Sequence, residues 1–152
     1  MQNRRQMLQR SAALAGALAG LGLLPRAAQA AWNSAAFEAK NMSDLVKALG
    51  VSAPTASKDV SITGPDIAEN GAVVPVGCAS SLAGVKQLLI LVEKNPNMLA
   101  AVFEPGDSVE PSFNTRVKMG QSSNVFAVAI TADNKVLFAQ KEIKVTLGGC
   151  GG

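Results

Sequence analysis

From residue 60 onward, apolar and polar positions come in short runs with turn chemistry between them. Val60–Thr63 is closed by Gly64-Pro65-Asp66, and Ala72–Cys78 follows Glu69-Asn70-Gly71. Val85–Glu93 stops at Lys94-Asn95-Pro96-Asn97, and Leu99–Phe103 is bounded by Pro105-Gly106-Asp107. Ser112–Met119, Asn124–Thr131 and Val136–Leu147 complete the set, the last two joined by Ala132-Asp133-Asn134-Lys135. Short runs rich in β-branched residues, punctuated by Gly, Pro, Asn and Asp, predict strands. In the final run Val136, Phe138, Ile143, Val145 and Leu147 are apolar, while Lys135, Lys141 and Lys144 fall to the water side. Its parity slips between Phe138 and Ile143, which predicts a bulge or bend.

The stretch before residue 60 reads differently. Ser34 followed by Ala35, Ala36, Phe37 and Ala39 predicts a helix start. Ser43 is placed to cap a second short helix, Asp44–Leu49, with an acid in its first turn and Gly50 at the C′ position. About seven short strands spaced by turns predict an all-β fold, an immunoglobulin-like β-sandwich with this helical segment packed at one end. A small closed barrel is the alternative.

The first thirty residues stand apart. Asn3-Arg4-Arg5-Gln6-Met7-Leu8-Gln9 is a twin-arginine pattern, followed by the uncharged apolar stretch Ser11–Leu24 and the small-residue site Ala28-Gln29-Ala30. These are the three parts of a bacterial export signal, although the twin-arginine and general secretion forms overlap. The apolar stretch has 14 residues, short of the ~20 needed to span a bilayer as an uncleaved anchor. The expected organisation is a twin-arginine signal peptide over 1–30, a sandwich over 31–147 and a flexible glycine-rich arm over 148–152, with the mature protein in the periplasm and without a membrane anchor.

Processing changes the charge. The whole chain has 14 Lys+Arg against 11 Asp+Glu. Four of the basic residues, Arg4, Arg5, Arg10 and Arg26, lie in the signal, which leaves 10 against 11 in the remainder. No basic surface suited to nucleic acid is expected in the mature protein. The chain has no histidine and no tyrosine, which removes Ser-His and Cys-His catalytic pairs and histidine-held zinc, copper or haem. Its two cysteines form no C-x-x-C pair and no thiolate cluster, and phosphate-binding glycine loops are missing. The expectation is a protein without catalytic residues, metal or cofactor of its own.

One motif carries chemistry. The chain reads Val145-Thr146-Leu147-Gly148-Gly149-Cys150-Gly151-Gly152, a lone thiol between two glycine pairs. Three residues separate Leu147 from Cys150, a reach of roughly 10 Å. The flanking glycines leave the tether narrow and without a preferred conformation. A catalytic cysteine is held still beside a base or cation, and this one is placed to travel. Lys144 is the nearest candidate cation for the thiol and Arg116 a candidate contact for an anionic adduct, though both also read as solvated strand residues. The spacing rules out prenylation, which needs the cysteine fourth from the end.

On this tail the chain resembles the SoxY family, the sulfur-carrier subunits of the bacterial thiosulfate-oxidising Sox system. Glu69-Asn70-Gly71 with Val74-Pro75, Glu93-Lys94-Asn95-Pro96 followed by Ala100–Phe103, and Thr115-Arg116-Val117 extend the resemblance along the chain. The resemblance implies an immunoglobulin-like fold and a covalent carrier rather than an enzyme, with sulfur attached at Cys150. It implies an arm of Gly148, Gly149, Gly151 and Gly152 that enters partner clefts. The implied partners are a SoxZ-like small β-protein, a haem-containing sulfur-coupling enzyme, a sulfate-releasing hydrolase and, in some hosts, a sulfur dehydrogenase.

Cys78 departs from that pattern, because a carrier needs one cysteine. In an exported protein two cysteines suggest a disulfide. The alternation of Cys78 with Val74 and Val76 instead suggests a buried small hydrophobe, and a second functional thiol is the third reading. The competing functions are therefore an exported binding or structural sandwich stapled by Cys78–Cys150, and a thiol redox protein acting through mixed disulfides.

Overall fold

The computed structural model describes residues 33–147. The expectations for the signal peptide at 1–30 and the arm at 148–152 fall outside the described residues. Two short helices come first, α1 (Ser34–Phe37) and α2 (Met42–Leu49). Nine strands follow among the described residues: β1 (Thr55–Ala56), β2 (Val60–Thr63), β3 (Ile67–Asn70), β4 (Val74–Ser80), β5 (Val85–Val92), β6 (Leu99–Phe103), β7 (Ser112–Val117), β8 (Ser123–Thr131) and β9 (Val136–Leu147). The expected seven are all present, and β1 and β3 are additions.

The helix caps follow local chemistry. Asn41, not Ser43, caps α2. Its Oδ1 accepts from the Asp44 amide at 2.9 Å while its Nδ2 donates to Asp44 Oδ2 at 2.7 Å. Ser43 lies inside the first turn, where its hydroxyl cannot serve the free amides. Gly50 ends the helix in the left-handed region at φ +66°, as expected, with its amide on Lys47 O and the Val51 amide on Val46 O. Asn33 caps α1 and also donates to Ala48 O at 3.0 Å, tying the two helices together.

The strands form two sheets, so the sandwich holds and the closed barrel does not. The smaller sheet is antiparallel in the order β2-β4-β7. The larger runs β1-β9-β8-β5-β6, and β3 also pairs with β9. Val74, Val76 and Cys78 of β4 meet Leu88, Ile90 and Val92 of β5, with Val125, Ala127 and Ala129 of β8 and Ile143 of β9, in the core between the sheets.

A second apolar layer covers the other face of the larger sheet. Ala36, Ala39 and Leu45 pack with Leu89, Leu91, Phe126, Val128, Ile130 and Val136. The helical segment therefore lies across a sheet face rather than at one end. This explains the unbroken run Leu88-Leu89-Ile90-Leu91-Val92 in β5, where every residue is fully buried. A strand covered on both faces has no water side to show in its sequence.

The same layering corrects the expected bulge in β9. The β8–β9 register runs without interruption from Ile130↔Val136 to Ser123↔Ile143. Val136 and Phe138 serve the helix-covered face, while Leu137, Ala139, Ile143 and Val145 serve the core between the sheets. The apparent slip is a strand changing the face on which it is apolar. Lys141 occupies the core-side parity and does not stand free in water. Its Nζ donates to Gly64 O at 2.6 Å and pairs with Asp66 at 2.9 Å. Lys135 pairs with Asp133 in the β8–β9 turn at 2.7 Å, where Asn134 takes the left-handed conformation at φ +60°. Lys144 alone of the three is exposed without an ion pair among the described residues. Register shifts do occur, in β5 instead.

Candidate functional site: the root of the cysteine arm

Cys150 and its glycines Gly148, Gly149, Gly151 and Gly152 lie outside the described residues. What the structure does describe is the strand that leads to them. β8 accompanies β9 only as far as Ile143, and the last four residues of β9 are fastened by other means. On one edge the Ser122 hydroxyl takes the place of a strand, accepting from the Val145 amide at 2.9 Å and donating to Val145 O at 3.5 Å.

On the other edge β3 pairs in parallel, with Ile67 opposite Lys144, Ala68 opposite Val145 and Asn70 opposite Leu147. The Lys144 amide donates to Asp66 O at 3.0 Å, Thr146 Oγ1 donates to Glu69 O at 3.0 Å, and the Gly71 amide closes on Leu147 O at 2.8 Å. Lys144, Val145 and Leu147 are held through their backbone and Thr146 through its hydroxyl. Each residue of the root is held in turn.

The clamp continues into the loops. Asn70 Oδ1 accepts from the Ala72 amide at 2.9 Å, fixing the turn after β3. Gly71 O accepts from the Met119 amide at 2.7 Å. Asn95 then bridges the next loop, donating to Lys118 O at 2.7 Å and accepting from the Gly120 amide at 3.3 Å. The three internal segments on which the resemblance rests therefore meet at this end of the sandwich. Leu147, the last residue before the glycines, is 71% exposed, and Val73 beside the β3 turn is 53% exposed.

The two candidate cations are not brought together. Lys144 stands on β9 opposite Ile67, and Arg116 on β7 opposite Pro75 in the other sheet. Sequence reasoning missed Ser122, which carries no signal of its own. It read Glu69-Asn70-Gly71 as a turn, when the first two residues end a strand and only Gly71 turns.

Cys78 is a free thiol, 2% exposed, at the centre of β4 between Ile62 and Phe113. Burial pushes its pKa up to about 11, against a smaller opposing effect of a hydrogen bond with the Phe113 backbone. A thiol held neutral is neither a nucleophile nor a metal ligand. It sits four residues into β4 from Val74, roughly 13 Å along the strand, and faces packed apolar side chains. A bond to Cys150 would require the arm to enter the core. The buried-hydrophobe reading of Cys78 is the one that stands.

Comparisons with known proteins give the family. The family model described as "Sulfur oxidation protein SoxY" matches residues 45–150. The sulfur carrier protein SoxY from Chlorobium limicola f thiosulfatophilum is 31% identical, with 70% of this chain and 97% of that chain covered, at a TM-score of 0.60. A superoxide reductase (neelaredoxin) from Ignicoccus hospitalis aligns at 20% identity over 57% of this chain and 79% of that chain, with a TM-score of 0.49. No curated protein sequence matches. With the family model spanning most of the sandwich and reaching Cys150 itself, the chain belongs to the SoxY family.

Proposed function

We propose that this protein is a periplasmic sulfur carrier that holds thiosulfate-derived sulfur on Cys150 and presents it to successive enzymes of the Sox system. The observation that carries the reading is the root. β9 is fastened at Val145 by Ser122 on one edge and as far as Leu147 by β3 and Gly71 on the other, and the next residues are Gly148-Gly149-Cys150-Gly151-Gly152. A fixed platform followed at once by a narrow tether suits delivery of a thiol into another protein's cleft. Tethering also keeps a reactive sulfur species at high local concentration without releasing it.

In the first step the Cys150 thiolate and the outer sulfur of thiosulfate form an S–S bond. Two electrons leave and are taken up by the haem-containing coupling enzyme. In the second, water attacks the terminal sulfonate sulfur in the hydrolase. The S–S bond to the sulfonate breaks, sulfate and two protons are released, and a persulfide stays on Cys150. Where the host has a sulfur dehydrogenase, the outer sulfur is oxidised and released by a further hydrolysis. The chain supplies attachment and presentation, and its partners supply the catalysis. A SoxZ-like small β-protein is the expected companion subunit. Export by the twin-arginine route fits a protein that folds, and assembles with a companion, before crossing the membrane.

Intact-mass spectrometry of the mature protein from thiosulfate-grown cells tests this, with and without reductant and beside Cys150→Ser. Reductant-labile sulfur additions that vanish in the variant are the expected result. A mass lower by two hydrogens, with both thiols unreactive, would mean a Cys78–Cys150 disulfide and would overturn the carrier reading in favour of a stapled structural domain.

A further inference from the structure

One dipeptide in the clamp around the root has a reactivity of its own. Of the chain's asparagines, Asn70 alone is followed by glycine. The carboxamide of an asparagine is open to attack by the backbone nitrogen of the next residue, and the side chain of that next residue is what hinders the approach. Glycine has none. The attack closes a five-membered succinimide and expels ammonia from Nδ2, and water then opens the ring to aspartate or isoaspartate. This chemistry places asparagine among the thermolabile residues.

At Asn70 the carboxamide is already in position. Its Oδ1 accepts from the Ala72 amide at 2.9 Å, a turn in which the side chain bends back over Gly71. The carbon to be attacked is thereby kept beside the Gly71 nitrogen, and the Ala72 N–H stabilises the oxygen as it gains negative charge. Asn70 and Ala72 are exposed, so water reaches the carboxamide.

The nitrogen is the part held back. Gly71 is buried. Its N–H is donated to Leu147 O at 2.8 Å, and its carbonyl is fixed by the Met119 amide at 2.7 Å. The nitrogen attacks only after losing its proton, and that proton is committed to Leu147. One hydrogen bond, to the last residue before the glycines, separates Asn70 from its own backbone.

We propose that Asn70 is a deamidation site gated by the end of β9: it reacts when Leu147 releases the Gly71 amide and is protected while the root is closed. Isoaspartate carries the main chain through the side-chain carbon and adds one atom before Gly71. The pairing of residue 70 with Leu147 then cannot reclose in register, so the lesion keeps its own gate open. Either product also sets a negative charge beside Leu147, where the tether of Cys150 begins. The proposal goes beyond the carrier reading and does not depend on it.

The test incubates the mature protein, residues 31–152, at mildly alkaline pH, folded and in urea. Peptide mapping that separates asparagine, aspartate and isoaspartate follows residue 70. Deamidation in the folded protein is expected at least about tenfold slower than in urea, because attack waits on local opening. Two variants loosen the root without touching the dipeptide: Ser122→Ala frees Val145, and Thr146→Val removes the bond to Glu69 O. Each is expected to speed deamidation about fivefold. Thr131→Val, which removes hydrogen bonds at the turn end of β9, should keep the parent's rate.

Equal rates in folded and unfolded protein overturn the gate. A rate that rises in Thr131→Val as much as in Ser122→Ala ties the reaction to global unfolding and overturns its placement at the root. No reaction at residue 70 even in urea overturns the site. All three outcomes leave the sulfur chemistry of Cys150 untouched.

Discussion

The middle of β5 and the end of β9 are held by opposite means. Leu88 to Val92 are fully buried, each face covered by apolar side chains from the other sheet or from the helices. Val145 to Leu147 lose that cover step by step, until Leu147 is 71% exposed. Their order comes from polar fastening by the Ser122 hydroxyl, β3 and the Gly71 amide. Apolar burial is strong and non-directional, and it suits a platform. Hydrogen bonds fix direction at modest net gain, and they hold the end of β9 where apolar cover has run out.

The contrast predicts unequal responses to truncation. Leu88→Ala removes a fully buried side chain from between the sheets and is expected to cost about 3 kcal/mol in denaturant unfolding. Leu147→Ala is expected within about 0.5 kcal/mol of the parent. Equal costs would break the comparison.

The two thiols extend it. With its pKa raised to about 11, Cys78 should alkylate at least about 100-fold more slowly than a free thiol such as Cys150 at pH 8. Peptide mass mapping after a timed iodoacetamide pulse reads the ratio. The shift also sets a sign. Neutral Cys78 supports the fold fully below the ordinary thiol pKa, and that support is lost as pH rises from about 9 through about 11.

A smaller effect sharpens the polar half. Ser122→Ala should cost about 1 kcal/mol, and hydrogen exchange should speed at the Val145 amide while the Ile90 amide stays protected. Loss of protection at both sites would mean the root and the platform open as one unit.

The smallest effect is at the opposite, turn end of β9. Asp133, hydrogen-bonded to Lys135 and Thr131, has its pKa lowered to about 2. A depressed carboxylate contributes above its unfolded pKa and stops contributing as pH falls through the folded one. The thermal stability gap between the parent and Asp133→Asn should therefore be present at pH 6 and close between about pH 4 and pH 2.

Much of this was legible in the sequence wherever one face met water or a turn residue closed a run. β2, β6 and β9 have the bounds that the alternation predicts. The strands missed were β1 and β3, two and four residues long, paired in parallel to β9. Neither has an apolar rhythm: β1 is exposed at both residues and β3 places only Ala68 in the core. β9 misled for a related reason: its apolar residues serve one face early and the other face late, a change that alternation alone reads as a defect. Asn41 had a local signal in Asp44 three residues on, but the helix begins at Met42, two residues before the expected Asp44, which puts Ser43 inside the first turn. At the site, the motif around Cys150 was plain from the sequence. The fastening of its root was not, since Ser122 and Gly71 act through contacts from distant parts of the chain.

The parallel seam between β3 and β9 has a mechanical consequence. A force applied to Leu147 along the axis of β9 would load this seam lengthwise. The hydrogen bonds on either side run across that axis, so they share the tug in shear instead of peeling open one at a time. The end of β9 is built to bear a lengthwise load.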